Sequence, residues 1–426
     1  MEKEANIKYR DPIHGFIKVR KHENEIINTR PFQRLRNVKQ LAMTHYVYHG
    51  AEHSRFGHSI GVMHLVTRAF NSAIQGYDEN FPEEKREWYE QILRLIALTH
   101  DLGHPPFSHA SESVLPDNLE HEDFTEKIIT ETEIADIINK IGEEFVNRYN
   151  KDYNITPQLI CDIYRGRNPG PNSEFTFLKS FMDSELDCDK MDYLLRDSYY
   201  CGVKYGMYDV ERLLSSFTIF YRENVPRIAI KSGGVQAFEE FVLARYFMFI
   251  QVYFHRTRRF FDIMLGKSLK KVLPNGMYPS EIDEYLEWDD CRVLQLLKVH
   301  SEEHDECNNI VNRVVYPRIC YTKAHPAAPD IREFDRNEKE LKKAIGDKYF
   351  ITDKSAGRMA HKIPLRVEID DEKAIIIYDD KTNRKTTISE ESEIIKSLSE
   401  RINILSFYCH PSKSKEATDI IKKINE

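Results

Sequence analysis

The chain of 426 residues predicts a mainly α fold, a helical core carrying short β-hairpins and followed by a small C-terminal α+β module. Three observations carry that expectation. Apolar residues recur at helical spacing from about residue 22 to 216, broken by Pro and Gly. The stretch 235–273 is apolar nearly all round in its middle, as a central core helix would be. Two short segments and the tail instead alternate about turn residues.

Taken in order, "NIKYRDPIHGFIKV" (6–19) turns at Asp-Pro and His-Gly and reads as a hairpin. Helices are expected in "EWYEQILRLIALTHDL" (87–102), "EDFTEKIITETEIADIINKIGEEFVNRY" (122–149), "TPQLICDIYRG" (156–166) and "DKMDYLLRDSYYCG" (189–202). "GRNPGPNSE" (166–174) reads as a loop shaping or covering a pocket. "FTIFYRENVPRIAIK" (217–231) reads as a second hairpin around Asn-Val-Pro, and one long helix is expected over 235–273. Residues 301–362 are polar and without a clear period. The tail gives two strands and a turn in 364–385, a helix in 389–402, a strand in 403–410 and a last helix in 415–426. The expected division is therefore a core at 1–300, an irregular connection at 301–362 and a C-terminal module at 363–426.

Bulk composition excludes several classes. With 61 basic and 69 acidic residues the net charge is −8, which argues against a general nucleic-acid coat but leaves room for local phosphate sites. No run of about 18 apolar residues is present, so no membrane span is expected. The charged start "MEKEANIKYR" does not read as a secretory signal. The seven cysteines form no C-x-x-C pair and are odd in number, as expected of reduced thiols in the cytoplasm.

The chemistry gathers at "LRLIALTHDLGHPPFSHASE" (93–112), where a greasy helix ends in His100, Asp101, His104 and His109. A carboxylate at the end of a segment built for burial is costly unless paired or metal-bound. Gly103 and Pro105-Pro106 have a plainer reading, a helix terminator followed by a break. Further imidazoles lie in "AEHSRFGHSIGVMHL" (51–65): His53, His58 and His64, with Arg55 among them. His45, His49 and His53 form a rival set at spacing four, but Gly and β-branched residues make one continuous helix through all three doubtful. In "SFMDSELDCDKMDYLLRDS" (180–198), Asp189 borders the stripe formed by Leu186, Met191, Leu194 and Leu195. The five aspartates of that segment also fit a solvated face.

Together these pieces resemble the HD-domain phosphohydrolases, whose metal site combines a His, a later His-Asp pair and a still later Asp. More narrowly the chain resembles the deoxynucleoside triphosphate triphosphohydrolase branch, through "DPIHGFIKV", "PFQRLRNVKQL", "HSRFGHSIGVMHL", "LTHDLGHPPFSH", "LDCDKMDYLLRDS" and "VYFHRTRRFF", which run in order over most of residues 10 to 262. The resemblance implies His58, His100, Asp101 and Asp189 as ligands of one divalent ion (Mn, Fe, Zn, Ni or Mg). It implies Arg55 as a phosphate-holding arginine, and His104, His109 and His121 as histidines around the phosphates, one acting as acid or base. Lys190 and Tyr193 match triphosphate contacts, Asp197 a residue near the sugar, and Gln40 and Leu41 the sugar-and-base wall. His255, in the loosest of the six motifs, completes the implied substrate contacts.

The residue types suit the chemistry on their own terms. Imidazole and carboxylate hold hard or borderline cations, which polarise phosphoryl oxygens and lower the pKa of bound water. Arg and Lys offset polyphosphate charge, and His exchanges protons near neutrality. Several positions depart from the branch. Glu112 stands where an Asp is usual, Gln251 replaces an arginine, and Arg259 occupies a position where an aromatic packs on the sugar. Asn28 replaces the Asp that reads guanine in an activating nucleotide, whereas Arg36 of the same element is retained. The expected activity is hydrolysis of a dNTP to deoxynucleoside and triphosphate. The alternatives are another nucleotide or nucleic-acid phosphoester, or a non-catalytic nucleotide sensor. A nucleotide activator at an oligomer interface and a homodimer or homotetramer are implied by the resemblance alone.

Overall fold

A computed structural model describes residues 7–77, 79–116, 119–167, 174–354, 358–359, 374–379, 381–398 and 401–425. The N-terminal strands Ile7–Asp11 and Gly15–Val19 pair antiparallel from Ile7↔Val19 to Asp11↔Gly15, closing the expected hairpin. The helices Arg55–Ala73 and Glu83–Thr99 pack together, and Cys188–Cys201 lies against the first of them. Glu83–Thr99 shows why a greasy run makes a rigid platform. Ile92, Leu93, Leu95, Ile96 and Leu98 are all completely or almost completely buried. Each such side chain stabilises the fold by roughly 1.5–3 kcal/mol relative to exposure.

Two expected single helices of the core are divided. The segment 122–149 forms His121–Glu131 and then Glu133–Arg148, because the Thr132 hydroxyl caps the second helix at the Ile134 N–H. The long run 235–273 forms Val235–Met248, a π-helical turn Phe249–Tyr253, and Arg256–Val272. The break falls at His255, whose side chain caps the last helix. It redirects the chain so that Tyr253 and Arg258 face a cavity (below).

The division expected at 301 and 363 is not followed by strand pairing. Arg318–Tyr321, Ser406–Cys409 and Phe350–Asp353 form one three-stranded sheet with Ser406–Cys409 in the middle. Ile376–Asp379 pairs parallel with Val225–Lys231 of the second hairpin and antiparallel with Arg384–Thr387. The polar stretch 301–362 also contains an 18-residue helix, Ala328–Ile345, whose Phe334, Leu341 and Ile345 are buried. Its apolar residues are too sparse among charges to have announced it. The helix expected in 389–402 becomes two short ones, Ile388–Glu391 and Glu393–Ser397, and the last helix is Ser414–Asn425. Most of the loop 166–174 and of the first expected tail strand lies outside the described residues. Among the described residues, no helix is long and apolar enough to cross a membrane.

Candidate metal centre and adjoining cavities

Helix ends and first turns bring the site together. His58 lies in the first turn of Arg55–Ala73, His100 caps the end of Glu83–Thr99, Asp101 follows it, and Asp189 opens Cys188–Cys201. Donor atoms of His58, His100 and Asp189 lie within 4.8 Å of one another. His58 Nε2 is 2.9 Å from Asp189 Oδ1 and 3.7 Å from Asp101 Oδ2, and His100 Nε2 is 3.3 Å from Asp101 Oδ1. The four residues expected as ligands therefore converge.

Two observations show that they fit a divalent cation. His100 gives Nδ1 to the Ala97 carbonyl at 2.7 Å, while its buried Nε2, facing the two aspartates, has no hydrogen-bond partner. A buried polar atom left so is expensive unless something binds it. The field also calls for positive charge. Burial opposes protonation of His58, yet its bonds to Asp189 and Asp192 prevail and raise its pKa to about 10. A cation placed among these carboxylates answers the same demand that the proton answers.

Behind His58 stands a carboxylate that the sequence reading left among solvated acids. Asp192 Oδ2 accepts His58 Nδ1 at 2.8 Å, and its two oxygens take Arg196 Nε and Nη2 at 2.7 and 2.9 Å. His14 Nε2, from the first hairpin, reaches Asp192 Oδ1 at 2.6 Å, and Arg196 Nη1 reaches Asp11 at 2.9 Å. This carboxylate fixes which ring nitrogen of His58 points forward. Gly61 makes the arrangement possible, since a Cβ there would run into Asp192 and Arg196. Asp192 follows Asp189 by three residues on one helix, the one local signal that could have found it.

A second imidazole cluster adjoins the first. His104 and His121 stack with centroids 3.9 Å apart, and His109 lies 5.0 Å from His104. Glu112 Oε1 is 2.8 Å from Nδ1 of both His109 and His121, so the Glu that departs from the resembling branch does brace His109. Gly103 is needed here for close approach, because a Cβ would strike the His121 carbonyl and the Thr125 backbone. Burial and the neighbouring Arg55 hold His104 well below its ordinary pKa, whereas bonds from His109 and His121 overcome burial to lower that of Glu112. Arg55 donates Nε to Ser108 at 2.7 Å and Nη1 to Asp101 at 2.6 Å.

Two cavities meet at these groups. One, about 520 Å³, is lined by His100, Asp101, His104, His109, His121 and Asp189, with Arg55, Arg165, Lys179 and Lys190 as its cations. The other, about 480 Å³, is lined by Gln40, Leu41, Tyr193, Asp197, Phe249, Tyr253, Phe254, Arg258, Arg259 and Asp262, among others. Gln40, Arg55, His109 and Tyr193 line both. Lys190 is held by Asp187 and by the Ser184 carbonyl. Asp197 is bound by His53 at 2.7 Å and by the Tyr253 hydroxyl at 2.7 Å, two partners the sequence reading did not assign to it. His255 does not line either cavity; its Nδ1 accepts the Thr257 N–H at 3.3 Å. Gln251 is exposed and also absent from both walls.

Comparison with known proteins agrees with this geometry. Residues 55–184 match the HD domain and residues 208–424 the HD associated region. The protein YwfO of Bacillus subtilis is 33% identical over 73% of this chain and 71% of its own length. A deoxynucleoside triphosphate triphosphohydrolase SAMHD1 homolog of Dictyostelium discoideum is 30% identical over 66% of this chain, which spans 50% of that protein. A crystal structure of an Aquifex aeolicus protein superposes with TM-score 0.78 at 29% identity, covering 97% of this chain and 99% of that one. With its clustered histidines and aspartates and its matched C-terminal half, the chain belongs to the HD-domain family of metal-binding phosphohydrolases.

Proposed function

We propose that the protein hydrolyses deoxynucleoside triphosphates to deoxynucleoside and inorganic triphosphate. The observation that carries this reading is the junction of the two cavities, one rich in cations and metal-binding side chains, the other walled by aromatics. A polyphosphate suits the first and a nucleoside the second. The similarity to the Dictyostelium enzyme supports the same substrate class.

His58, His100, Asp101 and Asp189 would hold the divalent ion. When bound, the ion supplies Lewis acidity at a phosphoryl oxygen and hydroxide from water near neutrality. Arg55, with Nε and Nη1 already committed, keeps Nη2 for a phosphate oxygen, and Lys190 adds a point charge nearby. His109 lines both cavities, which supports a position for it beside the bond between the α-phosphate and the 5′-oxygen. There it gives the leaving oxygen its proton, with Glu112 steadying the ring and His104 and His121 beside it. Gln40, Leu41 and Tyr193 wall the sugar and base, and Asp197 braces Tyr253 against them.

The test is a panel of dNTPs and NTPs incubated with metal-loaded protein, with the phosphate products separated. Inorganic triphosphate and deoxynucleoside in equal amounts are expected. Orthophosphate alone, or nucleotide binding without turnover under every divalent metal tried, would overturn the proposal.

A further inference from the structure

We infer that Arg259 is a specificity-determining donor for the nucleoside, and that Asp353 of the C-terminal region is the positioning residue that aims it. The inference rests on the proposed nucleotide reading and adds which residues recognise the uncharged part of the substrate. Arg259 lines the aromatic cavity from the first turn of Arg256–Val272. Its Nε and Nη2 both go to Asp353, at 3.0 and 2.8 Å, a two-point pairing of guanidinium and carboxylate. Such a fork fixes the plane of the guanidinium as well as its position.

Asp353 is itself immobilised. It is 4% exposed and ends the strand Phe350–Asp353, opposite Ser406 of the middle strand. The Tyr408 hydroxyl of that middle strand donates to the Arg256 carbonyl at 2.9 Å, and the Tyr408 and Phe260 rings stand 5.6 Å apart. Sheet and helix are thus fastened on both sides of Arg259.

Charge decides what part of a ligand this wall can meet. Arg258 and Arg259 are matched by Asp262 and Asp353, with Arg258 Nε 3.6 Å from Asp262 Oδ2. Two cations against two carboxylates leave no net attraction for a polyanion. The phosphate cavity, whose four cations face six carboxylates, would draw a polyanion through the divalent ion that His58, His100, Asp101 and Asp189 would hold. The Arg259 wall is therefore suited to a neutral acceptor. Its Nη1, 3.8 Å from Asp262 Oδ2 and beyond hydrogen-bond distance, is the donor left for it. The acceptor is an oxygen of the nucleoside, either a base carbonyl or a sugar hydroxyl.

Steady-state kinetics on the full-length, metal-loaded protein test this, with inorganic triphosphate as competitive probe of the phosphate side alone. Arg259→Lys and Asp353→Asn are each expected to raise KM for nucleoside triphosphates about tenfold, the loss of one charge-assisted hydrogen bond. Inhibition by inorganic triphosphate stays within about twofold of wild type and also reports that each variant is folded. Asp353→Glu, which keeps the carboxylate, recovers part of the loss. A ribo-to-deoxy KM ratio that shifts in the variants assigns the acceptor to the sugar, and a shifted ratio among bases assigns it to the base. Unchanged KM in both variants, or triphosphate inhibition weakened in parallel with KM, overturns the inference while leaving the proposed function standing. A wild-type protein that neither binds nor turns over any nucleotide overturns both.

Discussion

The two histidine clusters are built from the same residue types and differ in how carboxylates are shared. In the first, Asp101, Asp189 and Asp192 surround His58, and the His100 ring presents an unpartnered nitrogen to Asp101 and Asp189. In the second, one carboxylate, Glu112, serves both His109 and His121, and His109 is half exposed. Buried carboxylates facing an unpartnered imidazole nitrogen suit a bound cation, whereas in the second cluster one carboxylate already braces two imidazoles. Both clusters have residues able to hold an ion, and burial and the sharing of carboxylates, not histidine content, set them apart and underlie the proposed division into metal seat and proton donor.

The sharpest way to break this contrast is a pair of variants. His58→Ala should abolish bound metal by elemental analysis and with it turnover, a loss larger than the roughly 100-fold of indirect changes. His109→Ala should retain the metal while kcat falls by about 10²–10⁴. Metal lost from both variants, or from neither, would erase the distinction between the clusters.

A smaller effect sharpens the first half of the comparison. Asp192→Asn keeps an acceptor for His58 but removes the charge shared with Arg196 and His14. Metal affinity, measured by competition with a chelator, should weaken about 10–100-fold. Wild-type affinity in this variant would mean that His58 is oriented by packing alone.

An effect on stability, not on metal or turnover, concerns the loop that carries the second cluster. Asp290 accepts the backbone N–H groups of Phe107 and Lys39 at 2.7 and 3.0 Å, and burial pushes its pKa from 3.8 up to about 7. A carboxyl raised in the folded state stabilises fully below its unfolded pKa, and that contribution is lost as pH rises through the folded one. Between pH 3.8 and about 7 the wild type should therefore lose stability relative to Asp290→Asn, by at most about 1.4 kcal/mol per pH unit. Denaturant melts of both proteins across that window check the sign. A constant difference would show that Asp290 does not titrate there.

Much of the candidate site was legible through a resemblance carried by residue order, because its expected ligands sit in local motifs. His58, His100, Asp101 and Asp189 each fall in a stretch with its own helix start or stop. Asp192 was hidden because five aspartates on one segment look alike until one of them is seen against Gly61 and Arg196. His53 stood in a rival set of histidines at spacing four, and only its contact with Asp197, 144 residues away, ties it to a residue of the cavity wall. His255 carried a family expectation, but a break in the chain turned it into a helix cap.

What the sequence determined by itself is local: which segments coil, where Gly and Pro stop them, and which side chains can bind metal, phosphate or protons. These depend on neighbours within a few positions, through backbone sterics and the period of apolar residues. The tertiary structure alone decided which acids share a histidine, which cavity opens onto which, and that Asp353 grips Arg259 across 94 residues. Such contacts form only when burial removes water from between distant segments, so their energies and geometry belong to the packed molecule.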